Sequence, residues 1–95
     1  MVIGTLLIRL QVPESESLKD KRQVVRSLVA RLRHTFNVAV AEVGDLDMWQ
    51  SVQLGVACVS TDARHADEMC QKVLGFVGDE AEALLADSTF ELVHL

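Results

Sequence analysis

An apolar residue or glycine occupies every second position along the first twelve residues, which is the period of a β-strand with one buried face. The even positions carry an apolar residue or glycine: Val2, Gly4, Leu6, Ile8, Leu10 and Val12. Successive side chains of a strand point to opposite faces of its sheet, and Pro13 cannot donate to a sheet ladder. The pattern predicts a strand over residues 2–12.

Two later stretches repeat their apolar residues every three or four positions, which is the period of an amphipathic helix. Ser17 can cap the first helix together with Asp20, and that helix is predicted to run to about Thr35. Its stripe consists of Leu18, Val25, Leu28, Val29, Leu32 and Phe36. Asp62 can cap the second helix, whose stripe consists of Ala66, Met69, Cys70, Val73, Leu74 and Val77.

The remaining apolar runs predict three more strands. Val38–Val43 and Val52–Val59 are joined by a loop over 44–50, and Thr89–His94 forms the last strand. Residues 79–86 fit either a short helical piece or a loop. The predicted order is β-α-β-β-α-β.

This order is typical of the ferredoxin-like α+β sandwich. We predict one domain over residues 1–95, since a second core would need roughly 50 more residues. Its four-stranded antiparallel sheet has the order 4-1-3-2, and right-handed crossovers place both helices on one face. Because helices join the strands at the crossovers, we expect the central first and third strands to run parallel.

The sheet face away from the helices is unusually apolar for a solvated surface. Its predicted members are Ile3, Leu7, Ala57, Val59 and Val93. A large exposed apolar patch marks an interface, so we predict a homodimer through this face or an edge strand, with Ile3, Leu7 and Val59 in the interface. The alternative is that the strand phase is assigned wrongly by one residue somewhere, which would move these side chains to the other face of the sheet.

Charge is distributed unevenly along the chain, whose net charge is −5. Residues 1–36 contain seven of the nine basic side chains and three of the fourteen acidic ones, which gives +4, whereas residues 37–95 carry −9. At about 100° per residue, one flank of the first helix presents Lys19, Arg22, Arg26 and Arg33. Lys21 falls within the apolar stripe, and we expect its ammonium to reach solvent.

The basic side chains predict that this protein has a surface that binds the phosphates of RNA. The residues of this surface are Lys19, Lys21, Arg22, Arg26 and Arg33. A solvated helix face is the alternative. Trp49 lies in the predicted loop with Asp47 and Gln50, and such a tryptophan can anchor a partner or stack on a base. It can equally fold back over the core.

Motifs for catalysis and for bound cofactors are missing from the chain. It has no P-loop and no G-x-S-x-G elbow, and Cys58 and Cys70 fall on apolar faces. Its three histidines lack the spacing of metal ligands, and an oxygen-rich cation site at the loop is disfavoured. We predict no enzyme, no cofactor and no metal, with a small hydrolase as the alternative.

No apolar run approaches the ~20 residues that span a bilayer. The N-terminus also lacks the basic region and cleavage site of a signal peptide. We therefore expect a cytoplasmic protein without a membrane partner.

Four short segments, in order, resemble the YlxP-like family of small bacterial proteins, a domain of unknown function. They are Ser17-Leu18-Lys19-Asp20-Lys21-Arg22, Phe36-Asn37-Val38 leading to Ala41-Glu42, Asp47-Met48-Trp49-Gln50, and Leu54-Gly55-Val56. The resemblance implies a ferredoxin-like fold and a bacterial cytosolic location. It also implies a context of translation initiation and ribosome maturation, from the genes that accompany such proteins. The family has no established catalytic residues.

Taken together, these observations predict a non-enzymatic accessory protein that contacts structured RNA or ribosomal particles through the basic helix flank. The alternative is a homodimeric protein-interaction or ligand-sensing module that uses the open sheet face.

Overall fold

Six elements follow one another along residues 1–95 of the computed structural model, in the predicted order. They are β1 (Val2–Gln11), α1 (Leu18–Thr35), β2 (Ala39–Gly44), β3 (Ser51–Ser60), α2 (Ala63–Gly78) and β4 (Leu84–His94). The β-α-β-β-α-β arrangement is confirmed.

The strands form one sheet in the order β2-β3-β1-β4, which is 4-1-3-2 counted from the other edge. This order is confirmed, and every neighbouring pair is antiparallel. The expectation of a parallel central pair is therefore wrong. A helical crossover makes β2 run in the direction of β1, and the hairpin after β2 then reverses the chain, so that β3 runs against β1.

The core lies between the helices and the even-numbered side of β1. Ile8, Leu32 and Leu54 are fully buried, and they come from β1, α1 and β3 respectively. The close approach of α2 depends on Gly4, because a Cβ there would lie 3.0 Å from the Cys70 Sγ. The predicted strand phase and helix stripes are confirmed, and the odd positions of β1 lie on the open face.

A capping box begins α1, as its sequence predicts. The backbone N–H of Asp20 donates to the Ser17 Oγ at 3.0 Å, and the N–H of Glu16 donates to the Asp20 carboxylate at 3.0 Å. These bonds satisfy backbone donors that a helix N-terminus leaves free.

The last strand begins at Leu84, five residues before the predicted start. The register with β1 shifts between Arg9, which pairs with Asp87, and Leu10, which pairs with Leu85. This bulge interrupts the alternation of side chains, so the early part of the strand has no period-two pattern. Residues 79–83 form an irregular loop with a bend rather than the short helical piece.

Neither helix combines the length and hydropathy that crossing a membrane requires.

Candidate functional site

Four cationic side chains lie along the flank of α1 beside the edge strand β2. We call Lys19, Arg22, Arg26 and Arg33 the basic flank; all four are exposed. Arg33 Nη2 donates to the Val40 carbonyl oxygen at 2.7 Å, which ties the end of the flank to β2. At about 1.5 Å of rise per residue, the flank is roughly 20 Å long.

Four cations outside the basic flank have acidic partners, whereas the basic flank has none. The four ion pairs join Arg9 with Asp87, Lys21 with Glu42, Arg31 with Glu80, and Arg64 with Glu68. Lys19, Arg22 and Arg26 make no ion pair, and the only arginine side chains of α1 with hydrogen bonds are Arg31 and Arg33. The flank therefore presents unneutralised positive charge to solvent.

Lys21 departs from the predicted phosphate-binding set because it is 0% exposed. Its Nζ lies 3.0 Å from a carboxylate oxygen of Glu42. It also donates to the carbonyl oxygens of Asp45, Ser51 and Leu46 at 2.7, 3.3 and 3.5 Å. The expectation that its ammonium reaches solvent is wrong, and a buried ammonium cannot meet an external phosphate.

The position of Lys21 in the apolar stripe explains this burial. Its stem packs with the stripe, and the loop after β2 closes over the end of the side chain and supplies the oxygen acceptors. In the sequence, the position of this lysine within an apolar stripe was the one sign that it could be buried. The carbonyl oxygens that accept its hydrogen bonds belong to a loop that is distant in sequence.

The loop between β2 and β3, residues 45–50, is fastened at both ends. Asp45 has a φ of 56°, in the left-handed region, and its carboxylate accepts a hydrogen bond from the Ser51 hydroxyl at 2.7 Å. This bond is the main reason that the pKa of Asp45 is lowered, with a further contribution from Gln53. Gln50 Nε2 donates to the carbonyl oxygens of Pro13 and Ser15 at 3.1 and 2.9 Å.

The fastened loop leaves its apolar tip in solvent. Trp49 is 56% exposed and Met48 is 53% exposed, so Trp49 does not fold back over the core. Asp47 is exposed and makes no ion pair or side-chain hydrogen bond, whereas the Gln50 amide is occupied within the protein. All three predicted contact residues in this loop are exposed, but the amide nitrogen of Gln50 already links the loop to the segment after β1.

The open sheet face carries the predicted apolar residues. Ile3 pairs with Val59 on one side and with Val93 on the other, which forms a row across three strands. Val59 is 64% exposed, whereas Ile3 and Leu7 are half-buried. The structure thus brings the three predicted interface residues onto one face.

Comparison with known proteins places the chain in a family. Residues 3–90 match the model of a family described as protein of unknown function, DUF503. The chain belongs to this family. It is also similar to the uncharacterized protein YlxP of Bacillus subtilis strain 168, with 36% identity over 64 residues, which are 67% of this chain and 70% of that protein. The resemblance to YlxP-like proteins is confirmed.

Reactive side chains are not gathered in this DUF503 protein. Burial raises the pKa of the Cys58 thiol, and it raises that of Cys70 to about 11, so neither thiol is an activated nucleophile. No group of three or more His, Cys, Asp or Glu side chains is placed to hold a metal ion.

A cleft of about 570 Å³ separates the segment after β1 from the segment before β4. Its lining includes the carboxylates of Glu14, Asp20 and Glu82 and no basic side chain. This acidic cleft repels phosphate groups, which distinguishes it from the basic flank of α1.

Proposed function

We propose that this DUF503 protein is a non-enzymatic accessory protein that contacts structured RNA, or a ribonucleoprotein, through the basic flank. The observation that carries the proposal is that Lys19, Arg22 and Arg26 are exposed on one flank without an acidic partner. Lysine and arginine side chains that neutralise phosphates release counterions, which supplies most of the affinity of non-specific nucleic-acid binding.

The spacing of these cations suits a row of phosphates. Along the helix axis, Lys19 and Arg22 are about 4.5 Å apart, and Arg22 and Arg26 about 6 Å apart. Arg33 retains donors beyond the one that binds Val40, because a guanidinium has five N–H groups. The flank can therefore meet several phosphates of one backbone together.

The acidic remainder of the molecule orients the encounter. Residues 37–95 carry a formal charge of −9, and a field of this sign turns other surfaces away from nucleic acid. The same proposal includes a cytoplasmic location and a role beside translation or ribosome maturation, for which the support is the resemblance to YlxP-like proteins.

The sheet face is a less suitable RNA surface in this protein. RNA-recognition modules of similar strand arrangement stack bases on aromatic side chains of the sheet. Here the open face carries aliphatic residues such as Ile3, Leu7 and Val59, and Phe90 pairs with Leu6 on the side of the core. Basic-flank binding is therefore favoured over binding by the sheet.

Binding of a fluorescent structured RNA at low salt tests the proposal. We compare the wild type with Arg22→Gln/Arg26→Gln and with the control Arg64→Gln/Lys72→Gln, which removes the same charge from α2. Losing two phosphate contacts should weaken binding about tenfold or more, whereas the control should bind within about twofold of the wild type. Equal weakening in both variants contradicts a specific role of the flank.

The second candidate function is a homodimeric protein-interaction or ligand-sensing module, and the apolar row of Ile3, Val59 and Val93 on the open face favours it. From strand spacing and rise, the open face measures roughly 600 Å². A standard interface buries about 800 Å² on each partner. The face is therefore large enough to form most of an interface with a second copy.

A further inference from the structure

A shallow cavity of about 480 Å³ lies between the end of β1 and the loop after β2. It is lined by Gln11, Met48, Trp49, Gln50 and Ser51. Trp49 is the only tryptophan of the chain, and its exposed ring forms one side of the cavity. A volume of this size is within the range of small-ligand sites.

Some polar groups that line the cavity are already hydrogen-bonded within the protein, and others are not. The Gln50 amide donates to two carbonyl oxygens, and the Ser51 hydroxyl donates to Asp45. Gln11 is exposed, and its side-chain amide makes no hydrogen bond within the protein. This amide offers two donors and an acceptor next to an aromatic ring and the flexible thioether of Met48.

The loop that carries Trp49 is held in place before any ligand arrives. Lys21 binds the carbonyl oxygens of Asp45 and Leu46 from below, and Ser51 binds the Asp45 carboxylate. A loop fixed in this way loses little conformational entropy when it binds. Lys21 also donates to the carbonyl oxygen of Ser51, a lining residue of the cavity, at 3.3 Å, which ties one wall of the cavity to α1.

We infer that this cavity binds an unpaired nucleobase, which stacks on Trp49 while its edge hydrogen-bonds to the Gln11 amide. The inference rests on the proposed function and makes it more specific, because it names a single-stranded or bulged nucleotide within the RNA. Stacking on an aromatic side chain tolerates every base, whereas the amide can pair with donors and acceptors on a base edge.

The NMR signal of the Trp49 indole N–H tests the cavity directly, since the chain has one such group. Titration with adenosine 5′-monophosphate should shift this signal with saturation in the millimolar range, and ribose 5-phosphate should leave it unchanged. Gln11→Ala should weaken the binding of the nucleotide severalfold, and the control Gln71→Ala, an exposed glutamine on α2, should not. An equal response to ribose 5-phosphate, or no saturable shift, overturns the inference.

Binding to two RNA duplexes without a loop, one with a bulged base and one fully paired, separates this inference from the proposed function. Trp49→Ala should weaken binding of the bulged duplex about tenfold, from the loss of one stacked base, and should leave binding of the paired duplex unchanged, while Leu46→Ala in the same protein loop serves as the control. RNA that binds through the flank but ignores Trp49→Ala overturns the cavity and leaves the proposed function standing. Nucleotide that binds the cavity without any binding of RNA overturns the proposed function alone.

Discussion

Lys21 carries a charge that folding removes completely from water. Burying an ammonium without partners costs several kcal/mol. This cost is offset only when an opposite charge lies nearby and acceptors bind its N–H groups. Glu42 supplies the opposite charge, and the Asp45 carbonyl oxygen accepts its shortest hydrogen bond, at 2.7 Å. This residue joins α1, β2 and the following loop, so its role is to fix the position of that loop.

Replacing Lys21 by Met should lower the free energy of unfolding by about 3–5 kcal/mol, because Glu42 and the loop carbonyl oxygens lose their buried partner. Adding Glu42→Leu should recover part of the loss, since the uncompensated carboxylate is then removed. Urea denaturation of the single and double variants measures both effects. If Lys21→Met lowers the free energy of unfolding by less than about 1 kcal/mol, the Lys21 ammonium is not held by these buried partners in solution.

The buried thiol of Cys70 makes stability depend on alkaline pH. Its pKa rises from 9.0 to about 11, chiefly because of burial, so the folded state holds the thiol proton more tightly than the unfolded state. This contribution is fully present below pH 9 and is lost as the pH rises toward 11, by at most about 1.4 kcal/mol per pH unit. Urea denaturation at pH 8 to 10.5 should show a steeper decline for the wild type than for Cys70→Ala. Parallel curves for the two proteins are the contrary result.

At the scale of elements, prediction succeeded where one local period extended through the whole element. Residues 2–12 keep an apolar residue or glycine at every even position, and Ser17 with Asp20 marks the start of α1, so the extent of β1 and the start of α1 follow from local chemistry. The start of β4 is different, because its bulge near Ala86 is defined only by pairing with β1. Its early residues obey no period that a single sequence displays.

The residues of the candidate site also differ in how far their placement could be predicted. The angular position of Arg22 and Arg26 follows from helix geometry alone, and both are exposed as predicted. The fates of Lys21 and Gln50 depend on carbonyl oxygens of segments far away in sequence. Periodicity predicts which face of an element a residue occupies, but it does not predict which distant backbone group will satisfy its side chain.

At the scale of the whole molecule, two surfaces remain without a partner, the basic flank and the open sheet face. They lie on different layers of the sandwich. A dimer formed through the sheet would therefore leave the flank of each copy exposed, and the two proposals are compatible.

The apolar sheet face should support a homodimer at tens of micromolar, because the row of Ile3, Val59 and Val93 would be removed from water. Val59→Asp should weaken the dimer without unfolding the protein, since Val59 is 64% exposed. Ala30→Asp, which adds the same charge on the outer side of α1, is the matched control. Sedimentation equilibrium measures the state of each variant, and a wild-type monomer at this concentration would count against the interface.

The salt dependence of RNA binding tests the central claim, that the basic flank binds the phosphate backbone. Four contacts, each contributing about 0.7 on single strands, predict a slope of log affinity against log salt of roughly −3 for the wild type. Arg22→Gln/Arg26→Gln should reduce the slope to about half, while Arg64→Gln/Lys72→Gln should leave it unchanged. If the flank variant keeps the wild-type slope, or if the wild type does not bind RNA at low salt, the flank is a solvated helix face and the proposal is wrong.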